Sequence, residues 1–423
     1  MICFKTGAKL VIISQIAKPR LQNLLKIFNF LADNAIFIVS LQSEMSILHI
    51  FNPEHDIALA SNLANFTAPH AGRQLRNDLG FLPALWAGQG DVVLVENIEQ
   101  AQKAWQRISA RLKRLGIESK PMMTMRPEMP QKQSGVVTFC DKHSLVRQSL
   151  MGVLPWGWNK ALRRELERKG VDMHCVPDEA EIDNIRLLSH RRTSARLLPQ
   201  LRIAGTVGEA TECRSEQEVS ALYEQYGRMV LKAPWSSSGR GVRFVEPAHD
   251  DPMKTHNDER WLRNVLSQQG SIMVEPIYNK VKDFGMEFMA NGVGDISYKG
   301  LSLFHTVNGA YVGNILATEP AKQEMISHYI SIDLLEDIKQ RIMSSDVLNG
   351  YQGPFGVDMM VVKREEGEWR REEGFLLHPC VEINLRRTMG HAALELSPDD
   401  DDLTAVMRID YTDNYYKLRI NRL

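Results

Sequence analysis

Cysteine is scarce and unpatterned. The chain has five, Cys3, Cys140, Cys175, Cys213 and Cys380, an odd number with no CxxC pair. That spacing excludes a disulfide framework or a zinc ribbon and fits a reducing cytoplasm. Net charge is also nearly absent, with 51 Lys and Arg against 52 Asp and Glu. Nothing in that balance favours a nucleic acid or an anionic membrane as partner. Long apolar runs are missing too. Leu10–Ile13 and Ile36–Val39 are far shorter than a bilayer span, and no convincing secretory cleavage site follows them. No Gly-Lys-Ser/Thr closes a glycine-rich loop, so a Walker A loop is excluded. No internal repeat and no low-complexity linker is present. What remains is 423 residues, 43% hydrophobic and 24% charged, enough for two or three globular domains.

Two apolar runs near the C-terminus carry acidic residues. Val357-Asp358-Met359-Met360 and Cys380-Val381-Glu382-Ile383-Asn384-Leu385-Arg386 both read as strands, with a charged loop from Lys363 to Gly374 between them. Residues two apart on a strand share a face, so Glu382 and Asn384 point the same way. A hairpin centred near residue 370 would set Asp358 opposite Glu382. Two carboxylates and an amide oxygen would then converge, an oxygen set that suits Mg²⁺. The plainer alternative is a solvated sheet face.

Upstream, Met229-Val230-Leu231-Lys232 reads as a buried strand and Val242-Arg243-Phe244-Val245 as its return. The turn between them includes Ser236, Ser237, Ser238, Gly239, Arg240 and Gly241. Small residues let backbone N–H groups approach phosphate oxygens, and Lys232 and Arg240 add positive charge at either end. An ordinary Ser/Gly hairpin is the alternative.

In this order and at this separation, the features resemble the ATP-grasp superfamily over about residues 190–395. The resemblance implies an α/β and α+β protein: an N-terminal open α/β sheet domain followed by a two-subdomain ATP-grasp fold. It implies ATP as nucleotide and Mg²⁺, with Mn²⁺ as a substitute, held by Asp358, Glu382 and Asn384. Lys232 matches the strand lysine and Ser236 to Gly241 the flexible loop over the phosphates. Ser271–Ile277 matches the hinge strand, so Glu275 and the Ile277 backbone would meet ribose and adenine. Asp283 falls on the next strand beside the nucleotide. The family's earlier lysine is missing, and the segment Leu188–Leu198 offers Arg192 or Arg191 in its place; arginine does not reproduce lysine's geometry.

The implied chemistry is a carbon–nitrogen ligase. The γ-phosphate moves to a carboxylate, and an amine, less often a thiol, displaces phosphate from the acylphosphate. Glu382 would be central to catalysis, and Arg386 would grip the carboxylate or its acylphosphate. The implied partners are small-molecule or peptide carboxylates and amines, and a homodimer is compatible. A small-molecule kinase and a catalytically lapsed nucleotide-binding module are the alternatives. The Asp358/Glu382/Asn384 set argues against the lapsed module.

The reading divides the chain into residues 1–44, an extension upstream of a start at Met45; 45–190, the preceding α/β domain; and 191–423, with subdomains 191–270 and 271–423. Strands are expected at Ile47–Phe51, Asp91–Val95 and Val136–Cys140, and helices at Ile98–Gly116 and Asn159–Gly170, each stopped by glycine. Asn52-Pro53-Glu54-His55-Asp56 follows a strand, where open α/β sheets bind ligands, so His55 and Asp56 either line that cleft or cap a turn. Leu154–Trp158 reads as a loop, with Trp156 and Trp158 as lid or interface residues. His391 is a base or a structural hydrogen-bonding residue, and Cys380 a small buried thiol.

Overall fold

The computed structural model describes residues 46–117, 137–145, 149–236, 241–246, 252–292, 294–307, 310–364 and 374–423. The proposed extension 1–44 and start at Met45, and the loop residues Ser237, Ser238, Gly239 and Arg240, lie outside the described residues.

The first unit alternates strand and helix: β1 (Ser46–Ile50), α1 (His55–Ser61), α2 (His70–Leu79), β2 (Val92–Leu94), α3 (Ile98–Leu115), β3 (Thr138–Cys140), β4 (Leu150–Pro155), α4 (Lys160–Arg168) and α5 (Glu179–Leu188). The strands form a parallel sheet in the order β3-β2-β1-β4. Helices cover it because a parallel sheet buries both faces. In α3, Asn97 caps the first turn by accepting from the Gln100 N–H, and Gly116 ends the helix at φ 71°. Its buried Ala101, Ala104, Ile108 and Leu112 recur at helical spacing and fix the face it docks. Leu154–Trp158 is not a loop throughout: Leu154 and Pro155 finish β4, and their neighbours on β1 are His49 and Ile50. The proline and glycines there mask a strand that pairs on only one side.

After α6 (Arg192–Leu197) comes a small antiparallel sheet built from β5 (Thr211–Cys213), β6 (Met229–Lys232), β7 (Val242–Val245) and β8 (Ile272–Pro276), in the order β5-β8-β6-β7. Helices α7 (Glu216–Tyr226) and α8 (Pro252–Gln269) accompany it. The subdomain boundary expected at 270/271 is displaced, because β8 bonds to β5 and β6 rather than to the strands after it. An apolar strand read alone carries no sign of which sheet it joins.

The remainder is a seven-stranded antiparallel sheet. Its elements are β9 (Lys280–Asn291), β10 (Ile296–Val307), β11 (Ala310–Leu316), α9 (Glu319–Ser327), α10 (Ile332–Met343), β12 (Gln352–Lys363), β13 (Phe375–Asn384), α11 (Met389–Leu394), β14 (Ala405–Thr412) and β15 (Tyr415–Arg422). The strand order is β13-β12-β9-β10-β11-β14-β15. Alternation on β12 is strict. Phe355, Val357, Met359 and Val361 enter the core with Phe284, Phe288 and Ile338, which leaves Gly356, Asp358 and Met360 on the opposite face.

Candidate active site

The hairpin β12–β13 sets the acidic pair by register. Asp358 lies directly opposite Glu382, and Gly356 opposite Asn384. Beyond Asp358 the pairing slips, so that His378 faces Met360. Pro379, in the slipped stretch, has no N–H to give the ladder, and such bulges re-aim side chains. On the other side of β12, Gly285 is the partner of Asp358; a Cβ there would touch Val357 O and Asp358 Oδ1. Burial, and then the nearby Glu382 and Glu287 carboxylates, push Asp358 up to about 7. Two like charges confined this way are the imbalance that a bound dication corrects.

Asn384 departs from the expected pose. Its Nδ2 donates to Asp358 Oδ2 at 3.0 Å, while its Oδ1 accepts from Arg386 Nη2 at 3.0 Å. Among the described residues no group of three or more His, Cys, Asp or Glu forms a metal cluster. Two carboxylates and one amide fit a cation that takes its other oxygens from phosphates and water, as Mg²⁺ does.

The small sheet supplies the positive side. Lys232 ends β6 with its Nζ 2.6 Å from Glu275 Oε2 and 3.5 Å from the Val381 carbonyl, which ties the two sheets together at the strand carrying Glu382. Glu275, expected at the ribose, here neutralises Lys232. Ser236 and Gly241, the described ends of the loop, pack so closely that a Cβ on Gly241 would collide with Ser236. The two candidate arginines diverge. Arg192 Nη1 stands 3.7 Å from Glu212 on the rim, whereas the buried Arg191 reaches Glu382 Oε2 at 2.7 Å, Ser236 Oγ at 3.1 Å and the Ala233 carbonyl at 3.0 Å. The Arg191 N–H also bonds Pro234 O, so the start of α6 is pinned to the end of β6. Ile277 follows β8, and Asp283 on β9 pairs with Lys280 Nζ at 2.7 Å.

The N-terminal unit enters through α1. Arg386, just past β13, makes a two-pronged pair with Asp56: Nε to Oδ1 at 2.8 Å and Nη2 to Oδ2 at 2.9 Å. Burial works to raise Asp56, but the Arg386 guanidinium holds it below the usual carboxylate range. His55 is fully buried behind it, held down to about 4 by that burial. Its ring lies against Gly157, where a Cβ would come within 2.5 Å of His55 Cγ. Asn52 Nδ2 bonds Gly157 O at 2.8 Å and locks the exits of β1 and β4 together. His391 is structural: it shares a capping box with Thr388 and its Nε2 meets Phe288 O at 3.1 Å. Cys380 is buried and its thiol is pushed up to about 12, so it is no nucleophile at neutral pH.

Two hollows meet at Leu385. One is walled by Asp56, Leu59, Ser236, Glu382 and Asn384. The other, a cavity of about 80 Å³, is lined by Trp86, Trp156, Trp158, Tyr351, His49 and the two arginines 386 and 387. The arrangement can hold a polyanion and a cation on one side of Arg386 and an apolar organic molecule on the other. Sequence reasoning passed over His49 and left the choice between Arg191 and Arg192 open. The weak available signal for His49 was a polar residue inside a buried apolar strand.

No family model matches the chain, and no curated relative does. Among solved structures it is similar to N5-carboxyaminoimidazole synthetase from Staphylococcus aureus complexed with ADP, at 11% identity and TM-score 0.41, covering 86% of this chain and 82% of that one. It is also similar to the biotin carboxylase–beta-gamma-ATP complex from Campylobacter jejuni, at 10% identity and TM-score 0.45, covering 88% and 78%. A third is the biotin carboxylase domain dimer of the Hydrogenobacter thermophilus 2-oxoglutarate carboxylase with MgADP, ADP and bicarbonate, at 11% identity and TM-score 0.44, covering 88% and 76%. These are loose likenesses, and what the site can do is read from this chain's own pairings.

Proposed function

We propose that the protein is an ATP- and Mg²⁺-dependent ligase of the ATP-grasp kind, which activates a carboxylate as an acylphosphate for attack by an amine. The observation that carries this reading is the Asp358–Glu382 register pair with Asp358 raised to about 7, in which Glu382 shares a hollow with Ser236 at the stem of a Ser/Gly loop. Asp358 and Glu382, with the Asn384 amide, would hold the cation, which screens phosphate charge and polarises the transferring group.

The chain's own residues do the rest. Arg191 reaches both Glu382 and Ser236 at the loop stem, so it is the group suited to meet phosphate oxygens. Lys232, at the end of β6, is paired with Glu275 at 2.6 Å. Arg386, positioned by Asp56, lines the aromatic cavity next to Leu385 and would orient the acid's carboxylate toward the nucleotide. The aromatic walls exclude water from an intermediate that water would destroy.

The test is a screen of amino acids and small carboxylates for ADP formation with hydroxylamine present, since hydroxylamine traps acylphosphates as hydroxamates. Acid-dependent ADP and hydroxamate, both lost in Glu382→Gln, are expected. A stable phosphorylated product without hydroxamate would instead make the protein a kinase. No ADP with any acid would leave only a binding role.

A further inference from the structure

His49 lies in the middle of β1, 2% exposed, and is among the residues lining the tryptophan-walled cavity. Its Nε2 is 3.0 Å from Asp91 Oδ2. Asp91 also accepts from two backbone groups, Gly88 N–H on Oδ2 at 2.8 Å and Ile47 N–H on Oδ1 at 3.2 Å. A carboxylate held by three donors is ionised and can only accept, so the imidazole proton sits on Nε2. Nδ1 is then a bare lone pair. It is buried and has no hydrogen-bond partner among the described residues. An orphaned acceptor of this kind is costly in a folded protein and calls for a ligand's donor.

We propose that His49 is the base that takes the proton from the attacking nucleophile, an N–H donor on an apolar or aromatic body seated between Trp86, Trp156 and Trp158. The proposal rests on the ligase reading above. The nucleophile's lone pair attacks the acylphosphate carbonyl carbon and the C–N bond forms. The bond from that carbon to the phosphate oxygen breaks, and its electron pair leaves with inorganic phosphate. The nitrogen's proton passes to His49 Nδ1, giving an imidazolium paired with Asp91. Arg386 borders the same cavity, so the activated carbonyl and the base share one chamber. The charged groups that bear on the ring are Asp91, which raises its proton affinity, and Arg387, which with burial lowers it. The outcome is a neutral ring at neutral pH, the form a base needs.

Hydroxylamine needs no base to attack, so it separates the two half-reactions. The acid and amine that the wild-type screen selects are used with His49→Asn and Asp91→Asn. His49→Asn should lower amine-dependent ADP formation by about 10²-fold or more while hydroxamate formation falls less than tenfold. Asp91→Asn keeps the side-chain volume but removes the charge that raises the imidazole. It should also slow the amine reaction and move the acidic limb of its pH profile to lower pH. Hydroxamate formation doubles as the check that both variants fold. Equal loss of both reactions, or an undiminished amine reaction in His49→Asn, would overturn the assignment. Wild-type protein that forms no hydroxamate with any acid would remove the ligase reading and this proposal together; a positive wild type confines any failure to His49.

Discussion

Asp358→Asn should stabilise the metal-free protein while destroying its proposed cation site. In the folded chain Asp358 is raised from 3.8 to about 7 by burial and by Glu382 and Glu287. A raised carboxylate binds its proton more tightly folded than unfolded. Its penalty is therefore absent below the unfolded value, grows as pH rises from about 4 to 7, and is complete above. Three pKa units at about 1.4 kcal/mol each set an upper bound of about 4 kcal/mol. Partial solvent access to Asp358 reduces that to about 2 kcal/mol, as an order of magnitude. Asparagine keeps an oxygen for the Asn384 Nδ2 hydrogen bond and removes the repulsion toward Glu382. In EDTA at pH 8 the variant should melt a few degrees above wild type, on the usual scale of about 2 °C per kcal/mol for a large chain. Near pH 4 the difference should vanish. Adding Mg²⁺ should raise the wild-type midpoint and leave the variant's unchanged. Melting curves at the two pH values, with and without Mg²⁺, decide the matter. A variant that melts below wild type at pH 8 in EDTA, or a gap independent of pH, would refute the crowded-carboxylate account.

Lys232→Ala strips the 2.6 Å partner from Glu275, whose side chain is 11% exposed, and should cost about 3 kcal/mol of stability in denaturant titrations. Its ATP affinity should fall by about 1–3 kcal/mol, roughly 5- to 150-fold; unchanged affinity in a titration would exclude contact with the nucleotide. Asp56→Ala leaves Arg386 without its two-pronged partner. Both side chains are about a fifth exposed, so the loss should be nearer 2 kcal/mol than that of a fully buried pair. Turnover should fall with it, and Asp56→Glu should restore part of both; a variant with wild-type midpoint and rate would show the pair to be incidental.

The parts of this protein legible in its sequence are those set by local pattern. Period-two alternation around Asp358 and Glu382, with a charged turn between, was enough to place them opposite each other, and the structure has that register. The same holds for the Met229–Lys232 and Val242–Val245 hairpin and for α3 with its asparagine cap and closing glycine. Patterns of this kind depend on residues two to four positions apart, whose relative directions the backbone geometry dictates.

What local pattern left open or misplaced depended on docking. Arg191 and Arg192 are adjacent, yet a hydrogen bond to Pro234 fixes the angle of α6 and turns the first toward Glu382 and the second toward Glu212. Membership of β8 in the small sheet depends on partners 41 to 63 residues away along the chain. Glycine and proline around Trp156 hid the end of a strand.

By itself, the sequence determined which strands would present the charged residues Asp358, Glu382 and Lys232, and on which face Asp358 and Glu382 would lie. Only the tertiary structure decided that Asp56 meets Arg386 across 330 positions and that His49 is held by Asp91 against a cavity shared with that arginine. Contacts at such separation arise from how whole sheets pack, and packing responds to the summed shape of many side chains rather than to any one of them.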